Sequence, residues 1–194
     1  MGRPPILFVN GALGGAEGNS AALLDLAARH LAPRAEVSRI DLSVEEGFAT
    51  HAEAVGRAQG FVFATGTYWD SWGSPLQRFL EEATPTEGSD LWLGKPVAVL
   101  VTEHSVGGKG VLSRLQGVLS TFGLLLPPMA GLVLSAVAQG PPRAPPDPDL
   151  WCPADLEIVC HNLLEAVSGG RAFRAWPTDP GSPGRRWLRT LQGP

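Results

Sequence analysis

Three short, nearly continuous apolar runs, Ile6–Val9, Phe61–Ala64 and Val97–Val101, constrain this chain more than any other feature. Each is bounded by Gly, Pro or Asn, as strands buried on both faces of a parallel sheet are. A more polar stretch around Val37, Arg39, Ile40 and Asp41 reads as an edge strand. Leu124–Leu126 and Leu132–Leu134 flank Pro127-Pro128, and one or both supply a fifth strand. The double proline then belongs at a bulge, a bend or the sheet edge, because proline cannot donate to a ladder.

Helical periodicity fills the gaps between these runs. Asn19 or Ser20 caps a stripe of Leu23, Leu24, Ala27 and Leu31. Trp72, Leu76, Phe79, Leu80 and Ala83 repeat at spacings of three and four, as do Val111, Leu112, Leu115, Val118, Leu119 and Phe122. A weaker helix covers Ala52–Ala58, and a last stripe runs from Leu156 to Val167 after Pro153 or Asp155. The βαβαβαβαβα alternation implies a doubly wound parallel α/β sheet. The chain reads as one domain over residues 1–168, with a proline-rich connector at 140–149. Residues 169–194, rich in Gly, Pro and Arg and carrying Trp176 and Trp187, form either a surface arm or a strap across a partner subunit.

Composition excludes several classes. A formal net charge of −4 leaves no electrostatic footprint for nucleic acid. No apolar run approaches the ~18–20 residues of a membrane span. Met1–Pro5 runs straight into Ile6–Val9 without a signal-peptide core, so the expected location is the cytoplasm. Cys152 and Cys160 would share one helix face ~12 Å apart along the axis, too far for a disulfide. They read as small apolar residues on a buried face. His30, His51, His104 and His161 show no metal-ligand spacing, and no G-x-S-x-G nucleophile elbow occurs.

The chemistry gathers in the loops after the strands, where open α/β sheets bind ligands. The first loop, Asn10–Ser20, runs from strand to helix through Gly11, Gly14, Gly15 and Gly18. Its amides and the helix N-terminus suit a phosphate, although such loops also occur as bare connections. It is neither a G-x-G-x-x-G nor a G-x-x-x-x-G-K-[ST] loop. The second, Thr65–Leu76, concentrates rings and hydrogen-bonding groups. Trp69 and Trp72 either flank a planar heterocycle or plug a subunit interface, and the two roles are compatible. The third, Thr102–Gly110, repeats the glycine logic. Its His104 is either a donor to a ligand carbonyl or anion, or simply solvated.

Together these loops resemble those of the NADPH-dependent FMN reductase family in the flavodoxin-like superfamily. The family's first loop reads S-G-S-x-R…S-N-[ST], and this chain has N-G-A-L-G…G-N-S. The family's second loop, [TS]-P-x-Y-[NW]-x-S-x-P-x-x-L-[KQ], is matched by T-G-T-Y-W-D-S-W-G-S-P-L-Q. A G-G-rich turn, here V-G-G-K-G, completes the third, and Leu93–Val97 looks like the usual lead-in to the fourth strand. The resemblance covers roughly residues 5 to 135. It implies a flavodoxin-like three-layer α/β/α sandwich with five parallel strands in order 2-1-3-4-5. It implies FMN, with its phosphate on Asn10, the Ala12 backbone, Gly18, Asn19 and Ser20. Ring contacts would come from Thr67, Tyr68, Trp69 and Asp70, with Ser105, Gly107 and Gly108 opposite.

Three positions depart from the pattern: Ala12 replaces a serine, Gly14 an arginine and Gly66 a proline. Losing the arginine removes a charge-assisted bond of about 1.5–3 kcal/mol, or ~10–100-fold in affinity. The implied activity is transfer of hydride from NADPH or NADH to FMN and on to a quinone, a free flavin or a similar small acceptor, in a homodimer or homotetramer. No side chain is expected to act as general base, because the cofactor carries the chemistry. The rivals are an electron-transfer flavodoxin and a flavin-free binding module.

Overall fold

A computed structural model describes residues 2–42, 47–137 and 150–176. Five parallel strands, β1 (Pro5–Asn10), β2 (Glu36–Asp41), β3 (Gly60–Gly66), β4 (Val97–Glu103) and β5 (Gly131–Ser135), form one sheet in the order β2-β1-β3-β4-β5. The helices are α1 (Asn19–Leu31), α2 (Phe48–Arg57), α3 (Ser74–Ala83), α4 (Gly108–Thr121) and α5 (Leu156–Val167). All five strands and the order expected from the sequence are present.

Strand alternation divides the core in two. Ile6, Phe8, Val62, Ala64, Ala98, Leu100 and Leu132 point to α1 and α5. Leu7, Val9, Phe61, Phe63, Val97, Val99, Val101 and Val133 point to α2, α3 and α4. Both sets are buried, which is why the central strands read as unbroken apolar runs. The edge strand β2 is largely solvated, as its polar sequence implied. Because α1 leaves β1 on one face and α3 leaves β3 on the other, the connections diverge between β1 and β3. A crevice opens there, beyond the strands' C-terminal ends.

The fifth strand uses both leucine runs. Leu125 bridges Pro96 on β4's flank, and β5 proper begins at Gly131, so Pro127-Pro128 sits at a bend that interrupts the pairing on the sheet edge. The buried Asn162 of α5 donates to the Pro128 carbonyl at 2.8 Å. The same side chain donates to the Arg174 carbonyl and accepts the Arg174 N–H, at 2.8 and 2.7 Å. Residues 171–176 therefore lie along their own α5. The connector 140–149 and the rest of the arm, with Trp187, fall outside the described residues.

The cysteines differ from expectation. Cys152 is exposed and precedes α5 in a 3-10 turn; Cys160 alone is buried on the helix face. Its thiol is pushed up to about 12 by burial. A thiol reagent such as DTNB is expected to titrate Cys152 in the folded protein and Cys160 only after denaturation. Two fast-reacting thiols in native buffer would contradict the placement.

Candidate functional site

Sheet register brings Asn10, Gly66 and Thr102 to the C-terminal rim. Asn10 is fully buried and committed to the loop itself. Its amide donates to the Gly15 carbonyl at 2.8 Å and to Asp41 Oδ1 at 2.7 Å, and its oxygen accepts the Ala12 N–H at 3.3 Å. Asn10 and the Ala12 amide thus shape the first loop from within, with no donor left over for a ligand. The loop then closes tightly: a Cβ on Gly14 would lie 3.0 Å from Gly18 Cα. A longer residue at position 14 would crowd this closure, and one at position 18 would meet Gly14 Cα at 3.1 Å, so the two glycines support each other.

Gly18 is the N-cap of α1, and no side chain caps the helix. The first-turn amides of Asn19 and Ser20 are the natural donors to an anion there. Ser20 is buried, and its hydroxyl pairs with that of Thr102 at 3.0 Å, linking α1 to β4 across the crevice floor.

Glycines let the loops touch. A Cβ on Gly11 would sit 2.4 Å from Leu76 Cβ, and one on Gly73 would sit 2.6 Å from the Gly11 carbonyl oxygen. The Tyr68 hydroxyl accepts the Leu13 N–H at 3.2 Å, joining second loop to first. In the second loop Tyr68 and Ser71 exchange both backbone hydrogen bonds, at 2.8 and 2.9 Å. The intervening Trp69 and Asp70 have φ of 48° and 59°. Positive φ at both central positions is the signature of a type I′ turn, which Asn-Gly favours. Each left-handed non-glycine residue costs about 1–2 kcal/mol, somewhat less for Asp. The Trp69 side chain is fully exposed at the turn's tip. Asp70 lies against Gly107, whose φ of 98° leads into α4.

A cavity of about 200 Å³ opens between these loops, lined by Asn19, Gly66, Thr67, Tyr68, Thr102, Glu103, His104 and Ala136. A second, more apolar one of about 260 Å³ shares Asn19, Thr102, Glu103 and Ala136 and reaches between α1 and the end of β5. The Thr67 hydroxyl is buried without a hydrogen-bond partner. An orphaned hydroxyl on a cavity wall is a polar group awaiting a ligand or water.

Of the residues expected from the sequence, Asn19, Thr67 and Tyr68 line the cavity. Gly18 and Ser20 frame it, and Gly107 and Gly108 border it at the start of α4. Asn10 and Ala12 lie beneath the first loop. Trp69, Asp70 and Ser105 sit on the rim, outside the lining.

Glu103 is the residue that pattern reading passes over. It ends β4, lines both cavities, and accepts the Gly108 N–H at 2.5 Å. The carboxylate therefore already caps the N-terminus of α4. Among the described residues no lysine or arginine lines either cavity. Among the described residues no group of three or more His, Cys, Asp or Glu is placed to hold a metal ion.

Fold and cleft together define a flavodoxin-like α/β domain with its ligand crevice at the switch point. The chain belongs to the NADPH-dependent FMN reductase family, whose model matches residues 4–139. Membership places it among FMN-dependent oxidoreductases. No curated protein matches the chain. Solved structures do. RosB with its bound intermediate, 8-demethyl-8-formylriboflavin-5'-phosphate, superposes with a TM-score of 0.66 at 14% identity, over 97% of this chain and 96% of that one. An oxidoreductase from Corynebacterium diphtheriae gives 0.65 at 15% identity, over 88% and 100%. Flavodoxin 2 from Bacillus cereus gives 0.58 at 19% identity, over 85% and 98%. At these identities the likeness shows the fold. No helix among the described residues is long and apolar enough to cross a membrane.

Proposed function

We propose that the cleft holds FMN and that the chain is an NAD(P)H-dependent reductase passing electrons to a small, uncharged acceptor such as a quinone or free flavin. The observation that carries this reading is the coincidence of two unmet polar groups in one crevice. These are the α1 N-terminus with no side-chain cap and the orphaned Thr67 hydroxyl. The first fits a phosphate and the second the polar edge of a ring, with Gly66 leaving room for the Tyr68 side chain beside it.

FMN held here would supply the redox chemistry, hydride uptake from a nicotinamide and electron delivery to the acceptor. The chain's own groups do the rest. Asn19 and Ser20 offer amides to the phosphate, while the Gly18 N–H already donates to the Gly15 carbonyl at 3.4 Å and shapes the loop; Thr67 and Tyr68 orient the ring. His104, exposed on the wall, stands within the same cavity as a donor. Leu13, Trp69, Val106 and Val137, exposed apolar residues from successive loops, ring the mouth. They suit an apolar acceptor and contact with a second copy of the chain. The test is anaerobic mixing of the FMN-loaded protein with NADPH or NADH. Rapid bleaching of the flavin band is expected; a band that persists would mark an electron-transfer flavodoxin instead.

Glu103 and the exposed Glu17 favour a second reading, a module that has lost its flavin, since both place negative charge around a phosphate cradle that has no lysine or arginine in its lining among the described residues. Glu103→Gln tests how far that charge matters. The amide oxygen still accepts the Gly108 N–H, so α4 loses about 0.3–1 kcal/mol of cap energy. Removing a negative charge from the cleft is expected to tighten FMN about three- to tenfold at low salt, less at high salt. Fluorescence titration reads the first effect and thermal melting the second. Weaker binding by the variant would mean that the carboxylate contacts the ligand favourably.

A further inference from the structure

The Tyr68–Ser71 turn adopts a conformation that its own sequence resists. Trp69 and Asp70 both have left-handed φ, and neither is the glycine or asparagine such turns prefer. The Trp69 indole is wholly exposed, so its packing compensates nothing. The restraint comes from α4. Arg114, exposed on that helix, donates to the Asp70 carbonyl oxygen while its guanidinium lies 5.4 Å from the centre of the Trp72 ring. Trp72 is itself fixed, since its indole N–H donates to Gln77 Oε1 at 2.7 Å. A planar guanidinium lies flat on a ring and donates from its edge in one fixed geometry; a compact, strongly hydrated ammonium has no flat face and meets the two partners less well. Because α4 begins at Gly108, one helix ties the second loop to the third.

We propose that Arg114 is a positioning residue for the flavin. From outside the cleft, it clamps the strained turn in the conformation that presents Thr67 and Tyr68 to the ring. This rests on the FMN reading above, and it concerns a residue that touches no ligand.

The test pairs amide exchange of Tyr68 and Ser71 in flavin-free protein with FMN titration of the same variants. Arg114→Ala is expected to speed exchange at both amides, and to raise the FMN Kd, by about tenfold, which corresponds to about 1.4 kcal/mol. Its melting temperature should fall by no more than about 4 °C. Arg114→Lys should recover only part of the affinity. Adding Asp70→Gly to Arg114→Ala removes the backbone penalty at position 70. Exchange and Kd should then return to within about threefold of Asp70→Gly alone. A role for Arg114 in helix packing predicts no such rescue. Exchange or affinity in Arg114→Ala within about twofold of wild type, or failure of Asp70→Gly to rescue, would overturn the proposal. If the wild-type protein takes up no FMN, the flavin reading falls, and the exchange measurements still decide whether the clamp exists.

Discussion

Replacing Gly73 by alanine is expected to destabilise the protein by about 2–3 kcal/mol and to weaken FMN binding at least tenfold, the upper range for overpacking a tight contact. Gly73 has ordinary extended dihedrals, so backbone conformation is no obstacle. The obstacle is the neighbour. The new methyl would meet the Gly11 carbonyl oxygen at 2.6 Å and the Leu13 nitrogen at 3.4 Å, and backbone atoms cannot rotate away. Relief requires the first and second loops to separate, which would break the Gly73 N–H bond to Thr65 Oγ1 and the Tyr68–Leu13 tie. At roughly 2–4 °C per kcal/mol, melting should fall by ~4–12 °C. Gly117→Ala is the control. It lies inside α4 with open space around its Cβ position, and should stabilise by about 0.5–1 kcal/mol with FMN binding intact. Equal behaviour of the two variants would mean that the loops are not in contact as described.

Trp92→Ala should have the largest effect on stability, a loss of about 3–5 kcal/mol. The indole is fully buried, with its ring centroid 5.4 Å from Phe61, 5.6 Å from Phe122 and 6.1 Å from Phe48. Its N–H donates to Thr86 Oγ1 at 2.9 Å, so truncation leaves a void and removes one hydrogen bond from a hydroxyl that keeps its own bond to the Ala83 carbonyl. Such a loss is a large share of the ~5–15 kcal/mol that holds a domain together. Trp92 packs where β3 begins, at the opposite end of the sheet from the cleft. Below its lowered melting point the variant should therefore bind FMN within about threefold of wild type. Denaturant melts combined with flavin titration separate the two effects. A binding defect as large as the stability defect would contradict this division.

What the sequence displayed and what it concealed follow from range. Buried strands and helix stripes are local patterns, so β1, β3, β4 and the helical faces could be read directly. The double proline could be confined to a bulge, a bend or the sheet edge because proline's missing donor is a local fact. Asn10 was harder. The family resemblance put it on the phosphate, but the pairing of Asn10 with Asp41 in the β1–β2 register gives its amide an internal partner. Glu103 and Arg114 form no motif with their neighbours. Their roles exist only because the end of β4 meets the start of α4, and because α4 leans on the second loop. The left-handed pair Trp69-Asp70 lacks the Asn-Gly signature of its turn, so tertiary contacts, and not propensity, set its shape. Cys152 followed a helical spacing back past the true start of α5, where the 3-10 turn at Pro153–Asp155 breaks the face.

The central claim is that the crevice holds FMN with its phosphate on the first-turn amides of α1. Titrating flavin-free protein with FMN and with riboflavin, followed by flavin fluorescence, tests it most directly. The two ligands share the ring and differ by the phosphate. A single site that binds FMN at least about tenfold more tightly, a difference of about 1.4 kcal/mol, is the predicted result. Equal affinity for both ligands, or no uptake of FMN, would contradict it.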